Sequence, residues 1–493
     1  MSRPILAIDQ GTTGSTALVF AEDGRTLGRA TVEFPQHFPK PGWVEHDANE
    51  IWRSVERSVH DALEAAKVSG KDLAGIGITN QRETTLVWDK KTGAPIHRAI
   101  VWQCRRTADV CDELKRQGHA ERIREKTGLV IDAYFSGTKI AWILDHVDGA
   151  RKRADAGELS FGTIDTFVVH RLTGGEVHAT DVTNASRTLL FGLRSLAWDD
   201  ELCALFRVPR SVLPRVVSSA EIIGKTKGLS FLPDGIPIAG IAGDQQAALF
   251  GQACFARGDA KCTYGTGAFA LTNIGTEPIL SKNGLVTTVA WRIGNETTYA
   301  LEGSSFIAGA AVQWLRDGLG LIKSAAEIEA LARKVDSSDG VVFVPALAGL
   351  GAPYWDQAAR GTIVGLTRGT TAAHLARATL EGIAFSVHDL LAAMAEDGGA
   401  PLARLRVDGG ASRNDLLMQF QAGITGCTVE RPFDVESTGR GAAMLAAVGL
   451  GTMKPADAAK MLRIERTFTP EMQKAERTSH LAAWKRGISA ARG

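Results

Sequence analysis

Three short stretches combine residue types that could handle a phosphate, a metal ion and a polyhydroxylated molecule. The first is Asp9-Gln-Gly-Thr-Thr-Gly14, at the end of the apolar run Ile5 to Ile8. Glycine lets a backbone approach an anion closely, threonines add donors, and an aspartate at a strand end can hold a hydrated cation. A strand–turn–strand hairpin with glycine at its bend is the alternative. The second is Gln81-Arg-Glu-Thr-Thr85, after the apolar Ala74 to Ile78. So many hydrogen-bonding groups suit a polyol, whose hydroxyls both donate and accept, although Arg82 and Glu83 could equally form a solvated ion pair. The third is Asp244, between Gly243 and Gln245-Gln246. It reads either as a general base with Gln245 orienting a substrate alcohol, or as a turn aspartate or helix N-cap. Tyr134 and Phe269 are core aromatics or the apolar wall against which a polyol's carbons would lie.

Strands and helices must position these groups. The opening hairpin continues through Ala17 to Phe20, the Glu22-Asp-Gly24 turn and Thr26 to Phe34, predicting a three-stranded meander. Asp47 with Glu50 predicts a capping box before a helix bearing Ile51, Val55, Val59, Leu63 and Ala66 on one side. Ile236 to Ala242 is a strand, Gly243 to Gln246 a turn, and Ala247 to Phe255 a helix. Lys261 to Leu271 then repeats the opening pattern of strand, Gly/Thr turn and strand. A helix is expected from Gly303 to Asp317. Strand Leu405 to Asp408 delivers Gly409-Gly-Ala-Ser-Arg-Asn414 to a helix start, where free N–H groups favour phosphate. Two halves that open alike suggest a duplicated fold that clamps a nucleotide from both sides.

At 493 residues the chain exceeds what one core supports, and domains over 1–250 and 251–493 are expected. A net charge of +1 argues against nucleic-acid or polybasic membrane binding. The six cysteines are scattered without a C-x-x-C or metal spacing, so a zinc site is not expected. No uncharged run reaches the roughly 18 residues of a membrane span, and a cytoplasmic location is expected. Glu221 to Thr226 ends like a Walker loop but has Ser219 where the first glycine is required. No strand leads into G-x-G-x-x-G.

Read together, the chain resembles the FGGY sugar kinases, and among them the members that act on glycerol. The resemblance rests on Asp9 to Thr13, Pro41 to Asp47, Gly77 to Thr85, Trp102 to Thr107, Asp132 to Lys139, Thr183 to Thr188, Gly243 to Gly251, Tyr264-Gly-Thr-Gly267 and Asp408-Gly-Gly-Ala411. It implies an α/β fold of two actin-like (ribonuclease-H-like) ATPase domains, with the active site in the cleft between them. The first would carry the polyol site and phosphate loop, the second the adenine nucleotide site. The implied reaction is phosphorylation of glycerol to sn-glycerol 3-phosphate, in glycerol catabolism, with ATP and Mg²⁺. Arg82, Glu83, Tyr134, Asp244, Gln245 and Phe269 would hold glycerol, Asp244 would be the base, and Asp9 would support the metal. Thr12, Thr13, Gly14, Thr266, Gly309, Gln313, Gly410 and Asn414 would meet the nucleotide. A homo-oligomer, dimer or tetramer, is also implied. Another polyol or ketose as substrate, or a catalytically silent nucleotide or polyol sensor, are the alternatives. One departure stands out: where many members carry an arginine after the phosphate turn, this chain has Thr16. Losing a charge-assisted contact there would cost about 1–3 kcal/mol of nucleotide binding.

Overall fold

In the computed structural model, which describes residues 3–434 and 436–493, the opening run forms the expected meander. Strands β1 (Ile5–Gln10), β2 (Gly14–Phe20) and β3 (Thr26–Glu33) are antiparallel neighbours. Helix α1 (Ala48–Ala66) buries Ile51, Val55, Val59 and Leu63 against them. Its cap departs from the predicted box. Asp47 accepts from the Asn49 N–H at 2.8 Å, but Glu50 turns to His37, Oε2 to Nε2 3.0 Å, because that imidazole lies within reach. Strand β4 (Gly75–Asn80) runs parallel to β1. After α2 (Ser136–His146), β5 (Pro237–Gly243) pairs in parallel with β4 and leads directly into α3 (Asp244–Gly251). With the short edge strand Gly224–Lys225, these form a six-stranded sheet.

The second half repeats the pattern. Strands β6 (Asp259–Tyr264) and β7 (Ala268–Gly275) form a hairpin, followed by β8 (Val286–Ile293) and β9 (Glu296–Ser305). Helix α4 (Gly309–Asp317) starts later than expected: Gly303 lies in β9 opposite Ala270, so ladder pairing overrides its helical surroundings. Helix α5 (Ala372–Gly398) is, among the described residues, the one helix long and apolar enough to cross a membrane, and it is largely buried inside the protein. Strand β10 (Arg404–Asp408) lies parallel to β6, and after α6 (Asp415–Thr425), β11 (Val429–Pro432) lies parallel to β10. Helix α7 (Ser437–Gly449) follows, and β12 (Ile464–Phe468) completes a seven-stranded sheet. In each sheet a central strand has an antiparallel hairpin partner on one side and two parallel strands on the other. That is the repeated plan of actin-like, ribonuclease-H-like domains.

The halves interlock through α3 and α7, which follow the last parallel strand of their respective sheets. Although α7 comes from the second half, it packs on β1, β4 and β5 of the first. It buries Met444 and Leu445 in one cluster with Ala7, Leu18, Ala242, Leu249 and Phe250. Where α3 and α7 cross, no side chain fits between the backbones: a Cβ on Gly441 would lie 1.8 Å from the Ala247 carbonyl oxygen. Gly441→Val therefore forces the helices apart, and urea denaturation is expected to show a loss of about 3 kcal/mol. Gly399→Ala, left-handed at φ +64° but with open space around it, is expected to cost only about 1 kcal/mol.

Candidate active site

Register decides which side chains of the second sheet look toward the first. Thr263 lies opposite Phe269, Lys261 opposite Leu271, and Leu271 opposite Glu302. With the two-residue alternation of a strand, Lys261, Thr263, Phe269 and Glu302 share one face. That face meets the first half. Lys261 donates to Gln245 Oε1 and, at 3.0 Å, to Thr263 Oγ1. The Lys261 ammonium is fully enclosed, and burial lowers its pKa.

Glu302 receives Arg82. Arg82 Nη1 lies 2.5 Å from Glu302 Oε2 and Arg82 Nη2 donates to Oε1 at 2.9 Å. Arg187 shares the same carboxylate, Nη2 to Oε1 3.0 Å, and reaches Glu83 Oε1 with Nε at 2.6 Å. Two guanidiniums and two carboxylates are thus enclosed together, none with a side chain more than 5% exposed. The solvated Arg82–Glu83 pair is not what forms: those two are 3.7 Å apart, and each has a closer partner brought from elsewhere in the chain. Isolated buried charges cost several kcal/mol each, so such a cluster persists only because its charges counter one another; among the described residues, the buried Arg187 Nη1 finds no hydrogen-bond partner. Burial pushes Glu302 up, but Arg187 and Arg82 more than reverse it and hold it at about 2. Glu83 adopts the left-handed region at φ +59°, fixed where Ser136 Oγ and Thr85 Oγ1 both donate to its carbonyl at 3.0 Å.

Arg82 also organises the groups that face the cleft. Its Nε is 3.2 Å from Asp244 Oδ1, and its Nη2 donates to the Tyr134 hydroxyl at 3.4 Å. Asp244 is not in a turn or at an N-cap, as its window alone allowed; it is the first residue of α3 and is one-third exposed. There its carboxylate accepts from the Gln245 N–H at 2.7 Å and lies at the positive end of a helix. Tyr134 packs edge-on against Trp102, whose Nε1 donates to Thr12 Oγ1 at 3.0 Å, joining the polyhydroxyl-like surface to the first Gly/Thr turn. Arg82, Glu83, Tyr134, Asp244 and Gln245 thus form one connected set, with Phe269 on the sheet face opposite.

The phosphate-type elements also lie at strand ends. Each turn is closed by one backbone bond, Gly11 N–H to Gly14 O in the first and Gly265 N–H to Gly267 O in the second, both at 2.9 Å, the second one residue tighter. Thr13 and Thr266 are exposed at these bends, with Thr12 and Gly14 half-buried beside Thr13. The Gly309 N–H bonds to Gly265 O at 2.9 Å, so α4 starts against the second turn and carries the exposed Gln313 outward. Gly409 and Gly410 do not open an α-helix. A single 3-10 turn, Gly410–Arg413, intervenes, and Asn414 caps α6 by accepting from Leu417 N–H at 2.9 Å. Gly410 is exposed, with no atom near the position of a Cβ. Asp9, one residue before the end of β1, is half-buried at the cleft; desolvation, then Asp244 and Glu436, push its pKa up to about 8, while Arg29 opposes them. Asp408 ends β10 with Oδ2 accepting from Gln252 and Ser437 and buried Oδ1 unpartnered.

Sequence reasoning assigned no role to Glu302, Arg187, Lys261 or Asp408. A charged residue set between small or apolar neighbours in mid-strand, as Lys261 and Glu302 are, is a signal that could have found two of them. Glu302→Gln leaves two buried guanidiniums with Glu83 as the one fully enclosed carboxylate beside the part-exposed Asp244, and is expected to destabilise by about 3–5 kcal/mol at pH 7. Because the folded pKa of Glu302 lies below its unfolded value, this contribution is present above about pH 4.5 and fades as pH falls toward 2. Denaturation of the two proteins across that range should show the gap closing.

Both halves of the chain match known proteins. Residues 4–251 match the N-terminal domain, and residues 260–450 the C-terminal domain, of the FGGY family of carbohydrate kinases. Glycerol kinase of Deinococcus radiodurans is 58% identical, covering 99% of this chain and 97% of the relative. That of Oceanobacillus iheyensis is 56% identical, covering 99% and 98%. The crystal structure of Plasmodium falciparum glycerol kinase with ADP superposes with a TM-score of 0.94 at 36% identity, over 99% of this chain and 98% of the other. Gluconate kinase from Lactobacillus acidophilus, at 22% identity and a TM-score of 0.88 over 99% and 97%, shares the fold. With both domains matched and the charged cleft formed between them, the chain belongs to the FGGY family of carbohydrate kinases.

Proposed function

We propose that this protein is an ATP-dependent kinase that phosphorylates a terminal hydroxyl of glycerol to give sn-glycerol 3-phosphate. Similarity to glycerol kinases at 58% identity over nearly the whole chain supports the substrate. The geometric observation that carries the reading is the convergence of Arg82, Tyr134, Asp244 and Gln245 beside a Gly/Thr turn, all linked through one guanidinium and one tryptophan.

The donor set fits a divalent cation. Asp9, Asp244, Asp408 and Glu436 leave this end of the cleft rich in negative charge, as the upward shift of Asp9 and the unpartnered Asp408 oxygen record. ATP with Mg²⁺ supplies the transferable phosphoryl group and the positive charge that neutralises its oxygens. Asp9 is the residue assigned to support the metal through its hydration shell. Arg82 and Tyr134 hold the polyol hydroxyls, Gln245, fixed by Lys261, orients the acceptor, and the face of Phe269 covers the carbons. Asp244, held by Arg82, takes the proton from the attacking hydroxyl. The Thr12–Gly14 and Thr266 turns and the open backbone at Gly410 receive the nucleotide. Gly309, Gln313 and Asn414 line the same side.

Asp244→Ala is expected to lower kcat with glycerol and MgATP by about 10²- to 10⁴-fold in a coupled ADP-release assay, and a near-normal kcat would reject the base assignment. Ranking kcat/KM over glycerol, erythritol and a pentulose tests the substrate. Asp9 has a second signature. Its folded pKa, about 8, exceeds its unfolded value, so its contribution favours the folded metal-free protein at low pH and is lost as pH rises toward 8. In metal-free buffer the melting temperature of Asp9→Asn should therefore gain on wild type from pH 4 to 8, while its Mg²⁺-dependent nucleotide stabilisation is lost.

A further inference from the structure

Thr16 offers the cleft a hydroxyl where a cation would serve a phosphate, and that hydroxyl is engaged with Thr31 Oγ1 at 2.9 Å across the β2–β3 ladder. The next pair on the same face of that ladder is Leu18 with Arg29. Leu18 marks where this face points, since its side chain lies against Gly439 in α7. Arg29 therefore projects from β3 on the α7 side of the first sheet, one step from Thr16. Its guanidinium meets Glu436, just before α7, with Nη2 2.9 Å from Oε1. A second contact, Thr26 Oγ1 to Asp434 Oδ2 at 3.0 Å, fixes the same approach of β3 to that segment. Arg29 remains half-exposed, so water or a ligand can reach it.

We propose that Arg29 is the phosphate-facing cation of this cleft: it contacts the polyphosphate of the bound nucleotide in place of an arginine at position 16, with Glu436 holding it ready when the site is empty. The assignment rests on the reading of the cleft as an MgATP site. Two features argue for more than a surface ion pair. Asp9 lies opposite Thr16 in the β1–β2 ladder, so the strand end that faces the turn and the strand carrying Arg29 are separated only by β2. A half-exposed arginine with one carboxylate partner also has donors left over, as a five-donor fork must. Exchanging Glu436 for phosphate oxygens trades one anion for a more highly charged one in the same place.

The test is equilibrium binding of a non-hydrolysable MgATP analogue, and separately of adenosine, by calorimetry. Arg29→Gln is expected to weaken the analogue by about tenfold or more while leaving adenosine unchanged. Adding Thr16→Arg to that variant should recover most of the loss, because it returns a cation to the same face. Melting curves without ligand should show Arg29→Gln within a few tenths of a kcal/mol of wild type, as suits an exposed site. Analogue affinity within about twofold of wild type in Arg29→Gln, or an equal loss of adenosine, overturns the assignment. Failure of wild type to bind the analogue at all overturns the nucleotide reading itself, a separate result visible before any variant is made.

Discussion

Four buried charges govern this molecule. Arg82 and Glu83 come from the end of β4, Arg187 from the segment before the middle of the chain, and Glu302 from β9 in the second half. None would be tolerated alone in that environment, because burial without a partner costs far more than one hydrogen bond returns. Together they balance, and in balancing they fix the approach of the second sheet to the first. The same guanidinium that answers Glu302 is the one that touches Asp244 and Tyr134. The chemistry of the cleft and the docking of its walls thus share one side chain, so a change in either is felt by the other.

The repeated sheet plan explains why the site lies where it does. Parallel strands in both sheets end at the same cleft, and each delivers a polar residue at its carboxyl end: Asp9, Asn80, Gly243 leading to Asp244, and Asp408. Crevices beyond strand ends are where open α/β sheets place ligands. Several carboxylates gathered there repel one another, and Asp9 shows the effect directly. An acidic pocket of this kind is poor at holding an anion unaided. For the proposed function it would require added positive charge, and in that proposal a metal ion, the Gly/Thr turns and the half-exposed Arg29 answer the same need. On the opposite side of α3 and α7 the packing is apolar and close, with glycines at the crossing, so the crossing point keeps its geometry while the polar ends of the strands stay open to ligand.

The amino-acid order by itself determined a good deal. It marked both Gly/Thr hairpins, the run at Arg82, the carboxylate at Asp244 and the amphipathic α1, because each depends on local periodicity or turn chemistry within a dozen residues, and the duplication, because the second hairpin repeats the first. It misread boundaries where ladder pairing outweighed helical propensity, as at Gly303, and where one 3-10 turn separated Gly410 from its helix. It also misread partners. Only the tertiary structure could give Glu302 to Arg82, Lys261 to Gln245, His37 to Glu50 and Glu436 to Arg29, since these contacts join residues from 13 to more than 400 positions apart, and nothing in the spacing of either partner encodes the other. Local patterns select elements. Which charges meet is settled by the burial of those elements against one another, where an unpaired charge is too costly to keep.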